Sequence, residues 1–297
     1  MKKIFYIIAL GIALAGCSNN EDELLSMGSF PEDHVIRVIT EVNEPLSRAG
    51  YDAMNLERFG LMIQNSENAA YNYHKQMVGS GSAWSTSDGQ QMLWDAERTP
   101  VTMIAYAPFM SEATPDASLT VNALTNQSTE ENVKSSDFLL MKATVDPEQD
   151  LTADGKLKIS LNHAMSKLII KITVNGTTDA SMSKLGDMAI NGAVVNATCD
   201  LSAAAPVVVP AADAVVATVA PYKGTESCEC ILPPQKIAEG FSVNFSYDGK
   251  LYIWTAKEAI ELEEGVEHTL TLNVNTTVRL AAKMARNWAT GQLIDRN

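Results

Sequence analysis

Basic clusters, paired cysteines and regularly spaced histidines are all scarce in this chain. It has 297 residues, with 22 Lys and Arg against 36 Asp and Glu, a net charge of −14. No basic run occurs beyond Lys2 and Lys3. Nucleic acid and anionic lipid are poor electrostatic partners for such a surface, since both need clustered Lys or Arg. His34, His74, His163 and His268 lie far apart and never form the i, i+4 pair of a zincin. A lone histidine beside a strand, as His163 is, reads as a hydrogen-bonded structural residue. Cys228-x-Cys230 lacks the CxxC spacing, and on a strand two such residues share a face without favouring a bond. Gly79-Ser80-Gly81-Ser82 has neither the Lys of a phosphate loop nor the context of a nucleophile elbow, and reads as a flexible loop. Glu263 and Glu264 are adjacent, so they point apart and suit a solvated turn. No catalytic constellation, cofactor or metal is expected.

The amino terminus has its own logic. Lys2 and Lys3 precede an apolar stretch at 4–14, too short to span a bilayer, where roughly 20 residues are needed. Residues 1–16 therefore read as a secretory signal. Leu14-Ala15-Gly16-Cys17 resembles the lipobox of bacterial lipoproteins, which places the cut between Gly16 and Cys17 and lipid on the Cys17 thiol. Residues 17–32 read as an acidic tether. Glu21-Asp22-Glu23 within it also sit where Bacteroidetes lipoproteins carry a surface-export signal, and both readings stay open. Loss of 1–16 leaves 20 basic and 36 acidic residues, a net −16, so an acyl chain and not a basic patch would hold the protein to a membrane. With Cys17 acylated, Cys199, Cys228 and Cys230 remain. Three is odd, so in an oxidising envelope at least one thiol is free or paired between chains.

Beyond the tether the hydrophobic period is two. Ile36, Val38, Thr40 and Val42 alternate with Arg37 and Glu41; Leu168, Ile170, Ile172 and Val174 do likewise, as do Leu270, Leu272 and Val274. That pattern gives strands with one buried and one wet face, as in antiparallel sandwiches. Residues 241–254 predict a hairpin about a type I′ turn at Asp248-Gly249. Tyr247 then faces Lys250, Phe245 faces Tyr252 and Val243 faces Trp254. Asp154-Gly155 reads as a second turn of that kind. Helical signals are confined to 256–262 and 281–287. Residues 111–136 read as a polar surface excursion, and 206–221 as one proline-limited edge strand. A composition break divides the chain into 33–159 and 160–297. Trp84, Trp94, Trp254 and Trp288 would either pack in the core or offer faces on which sugars stack.

Several segments occur in a recognisable order. They are Pro45-Leu46-Ser47-Arg48-Ala49-Gly50, Leu56-Glu57-Arg58-Phe59-Gly60-Leu61-Met62-Ile63, Asp137-Phe138-Leu139-Leu140-Met141 and Leu161-Asn162-His163-Ala164-Met165-Ser166-Lys167-Leu168. Ile231-Leu232-Pro233-Pro234-Gln235 and Gly265-Val266-Glu267-His268-Thr269-Leu270 follow. The chain resembles the fimbrillin family of Bacteroidetes, the subunits of type V pili. The resemblance implies an all-β protein of two antiparallel β-sandwich domains with transthyretin-like topology. It implies a lipoprotein of the outer membrane, with Cys17 as the anchor. An Arg-specific protease would cut between Arg48 and Ala49 and release the strand at 35–42. A strand from another pilin subunit would take its place, and 277–297, with Trp288 and Gly291, would be the donor. Host or bacterial surface ligands would be the fibre's targets.

The residues suit that scheme without requiring it. Arg48 lies in a proline-containing linker before two small residues, a plausible exposed cleavage site. Equally, Arg48 reads as an ordinary linker residue beside a permanent strand, and anchor members of the family skip the cut. Cleavage would leave 18 basic and 29 acidic residues, a net −11. Two functions stand at this stage: a structural fimbrial subunit, and a surface glycan-binding lipoprotein that uses exposed tryptophans.

Overall fold

In the computed structural model, residues 29–43, 50–52, 54–176, 180–237, 240–274, 280–287 and 293–294 are described. The first half of the chain forms β1 (Val38–Val42), β2 (Arg58–Asn65), β3 (Tyr73–Ser80), β4 (Ala83–Thr86) and β5 (Val101–Ala107). It continues with β6 (Ser118–Asn122), a short helix α1 (Glu130–Ser135), β7 (Leu139–Val145) and β8 (Leu157–His163). The second half opens with β9 (Ser166–Val174), β10 (Leu185–Val194), β11 (Asn196–Asp200), β12 (Val208–Pro210) and β13 (Val216–Val219). Then come β14 (Tyr222–Lys223), β15 (Cys228–Leu232), β16 (Gln235–Ile237), β17 (Ser242–Tyr247) and β18 (Lys250–Thr255). The last are β19 (Ile260–Leu262), β20 (Val266–Val274), β21 (Leu280–Asn287) and β22 (Leu293–Ile294).

The protein is all-β. One sheet of seven strands has the order β1-β8-β7-β5-β2-β3-β4. Its central strands β2 and β5 carry apolar runs such as Leu61-Met62-Ile63 because both of their faces are buried. Phe59, Leu61, Ile63, Met103 and Ala105 enter one core, and Met62, Ile104, Tyr106 and Leu140 enter a second. That second core is shared with four further sheets, β13-β10-β17-β18, β12-β11-β6, β14-β15-β9-β20-β21-β22 and β16-β19. Pairing is antiparallel except for β1 with β8 and β9 with β20.

The hairpin of β17 and β18 has the register its alternation dictates, with Tyr247 opposite Lys250, Phe245 opposite Tyr252 and Val243 opposite Trp254. Asp248 and Gly249 take φ of 50° and 74°, both positive as a type I′ turn requires. The Phe245 and Tyr252 rings stack at 5.4 Å. At Asp154-Gly155 only Gly155 has positive φ, so that turn is of another kind. It is closed by Thr152 N donating to Lys156 O at 2.9 Å.

Tertiary context overrides four local readings. Residues 256–262 form no helix; their end is β19, paired with β16. Residues 281–287 are strand, because the edge of β20 supplies partners that an isolated short helix lacks. Residues 206–221 hold two edge strands, β12 and β13. The stretch 111–136 is no surface excursion: β6 pairs with β11, and Leu119, Val121 and Val133 are buried.

This stretch also ties the halves together. Gln127 is fully buried, and its amide exchanges bonds of 2.8 Å with both backbone groups of Ile231. Lys142 Nζ donates to Leu201 O at 2.7 Å and Ala203 O at 2.8 Å.

Gly60 lies opposite Tyr106, whose ring occupies the space a Cβ at residue 60 would take, with Cζ only 2.5 Å away. Gly60→Ala is therefore expected to cost about 1–3 kcal/mol by overpacking. A urea titration checks this as a lower midpoint with an unchanged slope.

Candidate functional site

β1 occupies a slot between two edges of the same sheet. Its residues Val38-Ile39-Thr40-Glu41-Val42 are rich in β-branched side chains, which suit extended backbone. Ile36, Val38 and Val42 point into the core and are buried. Full burial of each contributes on the order of 1.5–3 kcal/mol. On one flank β1 runs parallel to β8, with Val38 beside Leu157, Thr40 beside Ile159 and Val42 beside Leu161. Leu157 N donates to Arg37 O at 2.8 Å, and Asn43 N to Leu161 O at 3.0 Å.

The other flank is met by the turn between β3 and β4, at the far end of the sheet, and by residues 92–94 that follow β4. Thr40 N donates to Gly81 O at 3.0 Å, Ile36 N to Met92 O at 2.9 Å, and Trp94 N to His34 O at 2.8 Å. Gly81 is in the turn from β3 to β4, so the first and last strands of the sheet order meet. The sheet is rolled, and β1 closes the roll. Thr40 is the polar member of the inward row, and its hydroxyl accepts from Trp84 Nε1 at 3.0 Å.

Charged groups trim the outer face. Lys158 Nζ lies 2.8 Å from Glu41, which also accepts a bond from the Ser160 hydroxyl. Those contacts, Lys158 first, lower the Glu41 pKa. Arg37 and Asp33 are 2.5 Å apart, and the guanidinium chiefly draws the Asp33 carboxyl down to about 2. Asn43 bonds Asn162 at the end of the strand.

Past Asn43 the chain must reach Gly50 through residues 44–49. Arg48 and Ala49 are among them and lie outside the described residues, as do Gly16, Cys17, Gly291 and Trp288. Within the expected donor segment, the backbone of β21 lies along β20 of its own chain, from Val266 opposite Asn287 to Leu272 opposite Leu280. β22 pairs with β21.

Sequence reasoning missed the far wall of the slot. Gly79-Ser80-Gly81-Ser82 is an ordered turn, not a loose loop: Ala83 O lies 2.0 Å from where a Cβ on Gly79 would stand. Two glycines, Gly79 and Gly81, just before the short segment Ala83-Trp84-Ser85-Thr86 were the available signal for a hairpin. Nothing local indicated its contact with residue 40.

Other candidates resolve simply. Trp94 and Trp254 are buried, so neither offers a free face to a sugar; Trp84 is half-buried, 4.8 Å from the Phe59 ring in a T-shaped pair, with its indole N–H held by Thr40 and Gly81. His163 is buried against Asp137 at 2.9 Å. Cys199, Cys228 and Cys230 are all free and buried. Burial pushes the Cys199 and Cys228 thiols up to about 12, which makes them poor nucleophiles.

A family model described as fimbrillin-like matches residues 48–287. The chain belongs to the fimbrillin-like family. The match opens at Arg48 and leaves β1 outside it. Among solved structures, this fimbrillin-like chain is similar to a candidate cell adhesion protein of Bacteroides uniformis, with a TM-score of 0.65 and 16% identity. That alignment covers 87% of this chain and 99% of the other. A candidate cell adhesion protein of Bacteroides ovatus gives 0.64 at 16% identity, over 86% and 97% of the two chains. A fimbrial protein of Bacteroides ovatus gives 0.52 at 16% identity, over 82% of this chain and 49% of that one. At these identities the likeness concerns the fold. Comparison with curated proteins gives no match.

Acid should loosen β1. The Glu41 and Asp33 carboxyls are both depressed, so their contribution is complete above about pH 4.5 and is lost as pH falls through the lowered values. Thermal melts from pH 6 to pH 2 should show a fall, and the double variant Asp33→Asn, Glu41→Gln should be less sensitive over that range.

Proposed function

We propose that this fimbrillin-like protein is a structural subunit of an adhesive surface fibre, in which β1 is a temporary strand. The precursor is exported, cut between Gly16 and Cys17, and lipidated on Cys17 at the outer membrane. An Arg-specific protease then cleaves between Arg48 and Ala49. β1 leaves, and a strand from a neighbouring pilin subunit fills the slot. The reading is structural, with no catalytic step assigned to the chain.

One observation carries it: the segment 34–43, which contains β1, bonds β8 on one flank and the β3–β4 turn and residues 92–94 on the other, and is joined to the rest by a short linker that contains Arg48. Removal of such a strand exposes unpaired backbone on both flanks and uncovers Leu157, Ile159 and Leu161. An extended peptide with apolar alternate residues satisfies both demands at once, which is recognition by strand addition. The family match adds weight, since it covers the chain from Arg48 onward.

Arg48→Ala tests the proposal. Treatment with an Arg-specific protease should convert the wild-type monomer into a ladder of oligomers and leave the variant monomeric. Equal polymerisation of the two proteins would overturn the cleavage mechanism.

A further inference from the structure

Immediately after the linker, the chain is tied down more tightly than its polar composition suggests. Gly50 takes φ of 118°, a conformation that favours glycine, and so turns the chain inward. Its carbonyl accepts from Asn55 Nδ2 at 2.9 Å. Tyr51 N donates to Asp137 Oδ2 at 2.9 Å, and that carboxylate is itself paired with His163, both side chains being buried. Asp52 Oδ1 accepts from Met54 N at 2.8 Å and Asn55 N at 2.7 Å. Lys134 Nζ donates to Asn55 O at 2.5 Å and stands 5.1 Å from the centre of the Tyr51 ring. Tyr51 and Leu56 belong to the core that β1 covers.

We propose that Asp137, His163 and Lys134 form a clamp on residues 50–52 and 54–56, which holds the floor of the slot in place while β1 opens. The clamp draws on α1 and the residues just beyond it, and on the end of β8, none of which departs with β1. β1 by contrast is held by a parallel pairing, slightly weaker per residue than an antiparallel one, and by sparse bonds on its other flank. Asp137, His163 and Lys134 are thus positioning residues for strand exchange. They confine the opening to residues before the clamp and keep Tyr51 and Leu56 in the groove that an incoming strand must recognise. This inference rests on the reading of β1 as the released strand.

Native-state hydrogen exchange on the intact chain tests it. Tyr51 and Asn55 amides should be protected at least about tenfold more than those of Thr40 and Asn43, because local openings differ in free energy along a chain. Lys134→Met should remove about tenfold of that protection at Tyr51 and Asn55 and alter β1 by no more than about twofold. Asp137→Ala should act the same way, and Asp137→Asn, which keeps an acceptor oxygen for Tyr51 N, should retain most of the protection. If Asp137→Ala does not fold, Lys134→Met and Asp137→Asn decide the matter. Exchange of β1 and 50–56 as one unit, or an unchanged segment in Lys134→Met, overturns the clamp. A protease that fails to cut at Arg48 would instead overturn strand release, and the exchange result would stand independently.

Discussion

The segment from His34 to Asn43, with β1 at its centre, supplies backbone hydrogen bonds on two flanks, to β8 on one side and to the β3–β4 turn and residues 92–94 on the other, and most of the amino-terminal half is arranged around that fact. A rolled sheet leaves two open rows of N–H and C=O groups where its ends approach. Here Leu157 and Leu161 on one side, and Gly81, Met92 and Trp94 on the other, all bond the segment from His34 to Asn43. The same segment buries Ile36, Val38 and Val42 in the core beneath. Polar and apolar requirements are met by one short piece of chain. Under the proposed exchange, an incoming strand would have to meet both.

The second half gives this slot a rigid setting. β6 leaves the first half to pair with β11, Gln127 bonds Ile231, and Lys142 caps the carbonyls after β11. These ties load the outer face of the seven-stranded sheet, through Met62, Ile104 and Tyr106, onto a core that also includes Ile170, Ile190 and Leu272. The inner face can then be opened at β1 while the outer face remains packed. Burial on both sides explains why β2 and β5 read as continuous apolar runs.

Legibility in the sequence follows the range of the interaction. The β17 and β18 hairpin was readable to the residue, because its turn and its aromatic pairs lie within a few positions of one another. β1 was readable as an alternating strand, and its bounds fall inside 35–42. Its parallel partner, more than a hundred residues away, was not, since no local pattern encodes which edge a strand will join. The Ala-rich 281–287 segment looked helical, but its backbone groups pair with β20. Lys134 was hidden in a polar stretch that read as a surface excursion, Asp137 just beyond it opened a segment read only for its place in a family order, and the role of both depends on Tyr51 from a distant segment. The resemblance of Leu14-Ala15-Gly16-Cys17 to a lipobox and the proposed cut after Arg48 rest on sequence, and the fold adds to them only the reason such a cut would have a consequence.

Overall acidity also finds its place. Under the proposed cleavage, loss of 1–48 would take seven acidic residues, Asp33 and Glu41 among them, and would leave the chain less negative than before. The central claim is that β1 is absent from the assembled protein. The most direct measurement is the amino-terminal residue of subunits recovered from fibres. Ala49 is the predicted result, and subunits that retain residues 38–42 in the fibre would contradict the account.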